Sequence, residues 1–221
     1  MTPSTTHAPR RTRRGSTAAR GARSSAAPAR RRRLGWLVVA CALLGVAGAF
    51  ALGVGPFGDA VRKITLPLNH EDVIRQQAAA KDLDPALIAA VIYQESRFRP
   101  RESSAGAKGL MQILPDTARF IARESGGTEF EVPDLATPDI NIRYGSWYLR
   151  YLEGRYQDDG LVAAAYNAGE TNLDRWIRDA GGRGSFDLVE DVPFKETRAY
   201  VAGVLEKRKE YRKHYAEELG L

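Results

Sequence analysis

Residues 84–95 read Asp84-Pro-Ala-Leu-Ile-Ala-Ala-Val-Ile-Tyr-Gln-Glu95, and this stretch decides how the chain is interpreted. Asp84 is a favoured N-cap residue, and the proline after it fits the first position of a helix. We therefore expect a helix over Ala86–Arg97. Within that helix, apolar residues and one acid recur at helical spacing and share a face. They are Ile88, Val91, Ile92 and Glu95.

Glu95 is the unusual member of this apolar face. Burial disfavours the charged form of a carboxyl, and the C-terminal end of a helix disfavours an anion. Both effects predict that the pKa of Glu95 is raised. A carboxyl that stays protonated near neutral pH can donate a proton to a leaving oxygen. The alternative is a glutamate that turns to solvent or pairs with Arg97.

The rest of the C-terminal part reads as helices joined by short breaks. Asn69 is expected to cap a helix through Ile74, and the segment from Pro100 to Gly109 is expected to be a loop. Only a short piece near 184–192 is ambiguous between strand and coil. The sequence therefore predicts an all-α domain over residues 70–221. The remaining helices are expected at 116–124, 138–154, 160–167, 170–179 and 195–217.

Charge is distributed unevenly along the 221 residues. Residues 1–58 contain ten arginines and no acidic residue, whereas the remaining 23 basic and 27 acidic residues leave the rest mildly acidic. The basic character therefore belongs to the N-terminal tail and does not support nucleic-acid binding by the folded part. Residues 1–33 lack large apolar side chains, so we expect a disordered tail. That tail is expected to be solvated, with contact to anionic lipid as the alternative.

An uncharged run follows the tail, and it predicts a membrane anchor. Residues 34–57 are long enough to span a bilayer as one helix. The preceding arginines, 30–33, place the N-terminus in the cytoplasm and the domain outside the membrane. Residues 58–69 then form a short linker. The alternatives are a signal peptide cleaved after Ala49-Phe-Ala51, or lipid attachment at Cys41, the single cysteine.

Three further motifs follow the glutamate in order. They are Glu95-Ser-Arg-Phe-Arg-Pro with Ser103-Ser-Ala-Gly-Ala-Lys-Gly-Leu-Met-Gln-Ile113, then Ala164-Ala-Tyr-Asn-Ala-Gly169, then Val192-Pro-Phe-Lys-Glu-Thr-Arg-Ala-Tyr-Val201. Together they resemble the soluble-type lytic transglycosylases over roughly residues 70–215. The resemblance implies a lysozyme-like helical fold for this domain, which the uncharged run predicts to be preceded by a single transmembrane helix. It also implies peptidoglycan glycan strands as the substrate.

The resemblance assigns roles to residues at matching positions. Glu95 is similar to the single catalytic acid/base, and Ser103 to the serine beside the cleaved bond. Between Pro100 and Ser103 the chain has one residue fewer than the family pattern, so Ser104 is the alternative serine. The other matching positions imply substrate binding. They are Met111, Gln112, Tyr166, Asn167, Glu196 and Tyr200.

Several of these residues also have a packing interpretation. Met111 is more often a core residue than a groove residue, and Tyr166 in the core needs a partner for its hydroxyl, which Glu95 would supply. Four aromatic residues at near-helical spacing are expected mainly to pack, with sugar stacking by one of them as the alternative. They are Tyr144, Trp147, Tyr148 and Tyr151.

One carboxylate suffices if the substrate supplies the nucleophile, and the resemblance implies this non-hydrolytic cleavage, which leaves a 1,6-anhydro end. Ordinary glycosidases use two carboxylates. A second acid, with Asp116 the first candidate, would instead make the domain a hydrolytic muramidase. A non-catalytic wall-binding scaffold is the third alternative. The sequence shows no metal-ligand cluster and no phosphate loop, so neither metal nor cofactor is expected. It does not identify protein partners.

Overall fold

The computed structural model of the chain describes residues 39–46, 48, 56–127 and 129–221. Backbone contacts divide the chain into two units, Met1–Leu52 and Gly53–Leu221. In the first unit residues 39–46 are helical. None of the helices in the described ranges is both long and apolar enough to cross a membrane. The predicted disordered tail, 1–33, lies outside the described residues, as does most of the predicted anchor, 34–57.

The second unit begins with a helix where the sequence predicted a linker. Helix α1 covers Pro56–Thr65, and the residues after it pack against the domain. Leu66 is buried, and its carbonyl accepts a hydrogen bond of 2.8 Å from the hydroxyl of Tyr215. The carbonyl of Pro67 accepts another, of 2.6 Å, from Tyr211. These tyrosines lie far along the chain, so the sequence around residue 60 gives no sign of the contact.

Helices α2 (Glu71–Lys81) and α3 (Pro85–Ser96) follow. The N-cap of α2 is His70 rather than the predicted Asn69, and it has a left-handed backbone. The start of α3 is confirmed, since the side chain of Asp84 accepts a hydrogen bond of 3.0 Å from the amide of Ala86. All residues from Pro85 to Ile92 are buried. Helix α3 is therefore a central helix, enclosed on every side, rather than one with a single apolar face.

The segment after α3 differs from the predicted loop because it contains a small hairpin. Strands β1 (Arg101–Glu102) and β2 (Lys108–Gly109) pair antiparallel, with Arg101 opposite Gly109. Strands of two residues are too short to show an alternating pattern in the sequence. The ambiguous piece near 184–192 contains no strand in the part of the chain that is described. The side chain of Asp187 there accepts hydrogen bonds from the amides of Val189 and Glu190, which is typical of a turn.

The remaining predicted helices are confirmed to within a few residues. The last predicted helix is interrupted at Tyr215, which separates a long helix from a final short one. The helices are α4 (Pro115–Ser125), α5 (Pro138–Tyr156), α6 (Asp159–Ala168), α7 (Glu170–Asp179), α8 (Lys195–His214) and α9 (Ala216–Leu219), with a short 3-10 helix at Val132–Ala136. The domain is all-α apart from the hairpin, as predicted.

The closest association between helices is that of α3 with α8, which packs along it. A charged cluster ties the start of α3 to the C-terminal half of α8. Asp84 forms ion pairs with Arg208 and Arg212, and Arg208 also contacts Asp159 at the start of α6. Burial by itself raises the pKa of Asp84, but the hydrogen bonds from the two arginines outweigh it and hold the pKa below its ordinary value.

We predict that Asp84→Asn lowers the free energy of unfolding by roughly 1–3 kcal/mol at neutral pH, because the buried charge-assisted bonds are weakened while the cap acceptor remains. The depressed pKa means that this contribution is present above the unfolded pKa of about 4 and is lost as the pH falls below it. Urea denaturation of both proteins at several pH values measures the difference. The matched control is Asp116→Asn, which removes an exposed pair with Arg119 and should cost less than about 1 kcal/mol. An equal effect of the two substitutions would contradict the prediction.

Candidate active site

Glu95 lies in the last turn of α3 and is half-buried. The helix ends just after it, since Arg97 has a left-handed backbone with φ of 52°. Three elements surround the carboxyl: α8 through Tyr200, α6 through Tyr166, and β1 through Arg101. Arg97 does not pair with Glu95, because its guanidinium lies 5.8 Å from the ring centre of Tyr93. The alternative of a glutamate paired with Arg97 is therefore wrong.

The hydroxyl of Tyr200 donates a hydrogen bond of 2.7 Å to Oε1 of Glu95. Burial raises the pKa of Glu95 to about 7, although this hydrogen bond and the charge of Arg101 both act to lower it. The guanidinium of Arg101 also donates a 2.8 Å hydrogen bond to the backbone carbonyl of Glu95. A carboxyl with a pKa near 7 is populated in both its protonated and ionised forms at neutral pH, as a group that both gives and takes a proton requires.

Tyr166 lies near this carboxyl but has a different hydrogen-bond partner from the one predicted. Its hydroxyl donates to the carbonyl of Met111 at 2.9 Å rather than to Glu95. Burial and then the charge of Glu95 raise the pKa of Tyr166 well above its ordinary value. Tyr166 therefore stays neutral, and it joins α6 to the loop that carries Met111.

The side chain of Met111 is fully buried, so it lies in the core and not in an open groove as the resemblance implied. It packs against Gly145 of α5, where a Cβ atom would lie 2.3 Å from its sulfur. Gln112, by contrast, is half-buried with a backbone φ of 47°. Its side-chain nitrogen, Nε2, donates hydrogen bonds to the backbone carbonyls of Arg101 and Gly109, each at 2.8 Å. Gln112 therefore holds the hairpin in place beside Glu95.

Ser103 shapes the turn of the hairpin. Its hydroxyl oxygen accepts a 3.0 Å hydrogen bond from the amide of Ala107, and its carbonyl accepts one of 2.9 Å from Gly106. Ser104 is exposed, while Ser103 is half-buried. A role for Ser103 in contacting a sugar stays a prediction.

Asn167 and Glu196 are predicted site residues that take no part in the hydrogen bonds around Glu95. Both side chains are exposed and line a cavity of about 490 Å³ between the end of α6 and the start of α8. Their predicted role in substrate binding fits this open position. A larger cavity, of about 610 Å³, lies between the hairpin and the 3-10 helix. Its lining includes Arg101 and Lys108.

The four aromatic residues of α5 pack as expected. Trp147 and Tyr151 are stacked with their ring centres 5.8 Å apart, and Phe120 of α4 contacts both rings edge-on. Tyr148 continues the cluster to Tyr166, with ring centres 5.6 Å apart. This aromatic cluster packs against Tyr166 through Tyr148.

Asp116 does not supply a second acid to the site. Its side chain is 97% exposed and pairs with Arg119. Among the described groups that shift the pKa of Glu95, there is one cation and one hydroxyl but no carboxylate. Nor does any group of three or more histidine, cysteine, aspartate or glutamate side chains capable of holding a metal occur in the ranges described.

Sequence reasoning missed Asn141, which is completely buried on α5. Its side-chain oxygen accepts from the amide of Met111 at 2.7 Å, and its nitrogen donates to the carbonyls of Lys108 and Leu135 at 2.9 and 3.0 Å. Gly109 permits this contact, because a Cβ atom there would lie 2.1 Å from the amide nitrogen. A single polar residue near a helix start gave no signal in the sequence.

The helical fold, with a half-buried glutamate at the end of its central helix, is shared with a known family of domains. The family described as Transglycosylase SLT domain matches residues 72–189, and the chain belongs to this family. Soluble lytic murein transglycosylases are similar over 143 residues, 63% of this chain: that of Salmonella typhimurium is 36% identical and that of Escherichia coli K12 is 34% identical. The chain spans 22% of the length of each.

Solved structures agree with this assignment. The 70 kDa soluble lytic transglycosylase of Escherichia coli superposes with a TM-score of 0.65 at 30% identity, over 73% of this chain and 27% of that one. An inactive glutamate-to-glutamine mutant of the lytic transglycosylase Slt from Pseudomonas aeruginosa gives 0.63 at 32% identity, over 70% and 25%. The expected lysozyme-like lytic transglycosylase fold is thereby confirmed.

We predict that Tyr200→Phe raises the pKa of Glu95 above about 7, because the removed hydroxyl donates to the ionised carboxylate and favours it. Titration of the carboxyl carbon by ¹³C NMR in the full chain measures the shift. Tyr151→Phe is the control, since that hydroxyl donates to Glu170 and should leave Glu95 unchanged. A lowered or unchanged pKa in the Tyr200 variant would show that the hydrogen bond does not control the titration.

We also predict that Asn141→Ala lowers the free energy of unfolding by roughly 2–4 kcal/mol, because it leaves the carbonyl of Leu135 and the amide of Met111 without partners, while the carbonyl of Lys108 keeps only the amide of Ile113. Chemical denaturation measures the loss. Asn172→Ala is the matched amide control, since it removes one partly buried bond to the carbonyl of Ala168 and one exposed bond from Arg175, and it should cost about 1 kcal/mol. Similar losses for the two variants would mean that Asn141 is not the principal support of the loop.

Proposed function

We propose that this protein is a peptidoglycan lytic transglycosylase, which cleaves the β-1,4 bond between N-acetylmuramic acid and N-acetylglucosamine without consuming water. The observation that carries the proposal is the single carboxyl of Glu95, half-buried with a pKa of about 7 and bonded to Tyr200. Membership of the SLT family supports it, as do relatives named as murein transglycosylases.

In the first step Glu95 acts as the general acid. Its protonated carboxyl gives its proton to the glycosidic oxygen, and the bond from that oxygen to C1 of the muramic acid breaks. The carbonyl oxygen of the 2-acetamido group attacks C1 from the opposite face and forms an oxazolinium ring. The substrate thus supplies the nucleophile that a second carboxylate provides in ordinary retaining enzymes.

In the second step the same residue acts as the general base. The carboxylate of Glu95 takes the proton from the C6 hydroxyl of the muramic acid, while O6 attacks C1 and the C1–oxygen bond of the oxazolinium breaks. The product is a 1,6-anhydro ring, and Glu95 is again protonated. Tyr200 stabilises the carboxylate between the two steps through its hydrogen bond. These steps use neither a metal nor a cofactor.

The other site residues position the substrate in this proposal. Asn167 and Glu196 offer exposed polar groups to the glycan from the cavity between α6 and α8. Gln112 and Ser103 fix the conformation of the hairpin that carries Arg101. Met111 contributes through its carbonyl, which fixes Tyr166, rather than through its buried side chain.

The protein is also proposed to be a single-pass membrane protein, anchored by residues 34–57 with its catalytic domain, 70–221, on the extracytoplasmic side. The uncharged run and the arginines 30–33 before it support this orientation. The helical conformation of residues 39–46 fits a spanning helix. A relative from Alcanivorax borkumensis, 34% identical over 117 residues, is named as membrane-bound.

We predict that the full chain in detergent releases muropeptides with 1,6-anhydromuramic acid ends from purified peptidoglycan, and that Glu95→Gln slows release by roughly 10²–10⁴-fold. The glutamine cannot donate the required proton, yet it nearly preserves the shape of the side chain. Mass spectrometry identifies the ends, and thermal unfolding checks that the variant is folded. Glu124→Gln, on the exposed surface of α4, is the control and should retain activity.

Each other outcome has a definite meaning for this proposal. Reducing ends, heavier than anhydro ends by one water molecule, would show a hydrolytic muramidase. Unchanged activity in the Glu95→Gln variant would remove Glu95 from the mechanism. Binding to peptidoglycan without release of fragments would show a scaffold protein.

A further inference from the structure

A cavity of about 340 Å³ lies where α1 meets the end of α3. Its walls come from the residues that follow α1 and from the turn after α3. We call it the arginine cavity, and its lining consists of Ile64, Thr65, Pro67, Tyr93, Arg97 and Arg99. The catalytic proposal uses none of these residues.

The two arginines of the cavity are exposed, and their positive charges are not balanced by a nearby carboxylate among the described residues. Neither Arg97 nor Arg99 forms an ion pair with another described residue, and no acidic residue lines the cavity. The guanidinium of Arg97 lies over the ring of Tyr93, and the hydroxyl of Tyr93 donates 3.0 Å to the carbonyl of Thr65. Both guanidinium groups line the same cavity, so together they attract an anion to it. Guanidinium groups suit phosphate because they can bind it with two parallel hydrogen bonds.

Helix α1 forms the rim of the arginine cavity through Ile64, and it carries further exposed apolar and basic side chains. On α1, Ile64 is 79% exposed and Val61 is 43% exposed, and Lys63 between them is also exposed. A short helix that presents apolar and basic residues together is typical of segments that lie in the headgroup region of a membrane. Such an arrangement suits an anion that is attached to an apolar chain better than a free anion.

The position of the rim along the chain suits a membrane surface. The uncharged run of residues 34–58 leads directly into α1. At a rise of 1.5 Å per residue, Ile64 lies about 9 Å along the helix from Gly58. The headgroup layer on each side of a bilayer is about 5–8 Å thick. If the run ends at the edge of the hydrocarbon core and α1 continues along the membrane normal, Ile64 therefore lies at the outer boundary of the headgroup layer.

The cavity also lies on a different side of α3 from the carboxyl of Glu95. Tyr93 and Glu95 are two residues apart, and two residues turn a helix by about 200°. Tyr93 faces α1 and the cavity, while Glu95 faces Tyr200 and Tyr166. A surface bound at the cavity therefore leaves the candidate active site uncovered.

We propose that the arginine cavity binds the phosphate of an anionic membrane lipid, with Ile64 and Val61 inserted at the headgroup boundary. The proposal rests on the membrane anchor proposed above. Through this contact the domain adopts one orientation on the bilayer, with Glu95 directed away from the lipid and toward the cell wall. Arg97 and Arg99 bind the lipid phosphate, and Lys63 adds attraction to the anionic surface.

The test compares the full chain in nanodiscs of phosphatidylcholine with the full chain in nanodiscs that also contain phosphatidylglycerol. Hydrogen exchange followed by mass spectrometry should show amides of residues 61–67 and 96–101 exchanging roughly tenfold more slowly with the anionic lipid. The double variant R97Q/R99Q should lose this protection. High salt should reduce it, because screening weakens the attraction to the surface.

The matched control is R123Q/R178Q, which removes the same charge from exposed positions on α4 and α7 and should keep the protection. Equal exchange in the two lipids, or equal loss in both double variants, would overturn the proposed site. Glu95-dependent release of soluble muropeptides should remain in R97Q/R99Q, since neither arginine contacts the carboxyl.

Flotation with phosphatidylcholine vesicles tests the anchor separately, because a spanning segment holds the chain in neutral lipid. A chain that floats only with anionic vesicles, and no longer does so as R97Q/R99Q, would refute the anchor and support the lipid site. A chain that floats with neutral vesicles but shows no protection from anionic lipid would support the anchor and refute the site.

Discussion

The packing of α3 against α8 is the constraint on which the candidate site depends. At one end of α3, the charged contact of Asp84 with Arg208 joins the two helices, and at the other the hydroxyl of Tyr200 meets the carboxyl of Glu95 at 2.7 Å. Between these two polar contacts the helix is enclosed by apolar side chains. Glu95 is thus the point at which a buried helix emerges, and partial burial there raises its pKa to about 7.

A second helix, α5, controls the other wall of the site. Asn141 and Gly145 lie one turn apart and hold Met111 by its amide and by its side chain. The carbonyl of Met111 accepts a hydrogen bond from the hydroxyl of Tyr166. The neighbouring residue, Gln112, donates a hydrogen bond to the carbonyl of Arg101 in the hairpin. The motif residues around Met111 therefore act chiefly by building a rigid loop. In the proposed mechanism they act through Tyr166 and Arg101, whose positions this loop fixes.

The two sides of α3 differ in a way that bears on how such a domain works at a cell surface. One side presents Glu95 among tyrosines that stay neutral, and the other presents Arg97 and Arg99 next to the exposed Ile64. A proton-transfer group needs partial exclusion of water, whereas a phosphate-binding surface needs accessible cations. Because α3 ends at Ser96 and the chain turns at Arg97, the same short segment, 93–99, presents side chains in different directions and can serve both.

The sequence by itself determined the helices of the domain other than α1, the N-cap of α3 at Asp84 and the choice of Glu95 as the candidate acid, because capping, helical periodicity and an acid on an apolar face are local patterns. It also indicated the family, through motifs in the correct order. Only the tertiary structure decided that α3 is buried on all sides, that Met111 lies in the core, that Tyr166 bonds to a carbonyl rather than to Glu95, and that Asn141 holds the loop. These depend on partners 30 to 55 residues distant or on other helices. Such contacts leave no periodic signal in the chain, since they are fixed by how the helices pack.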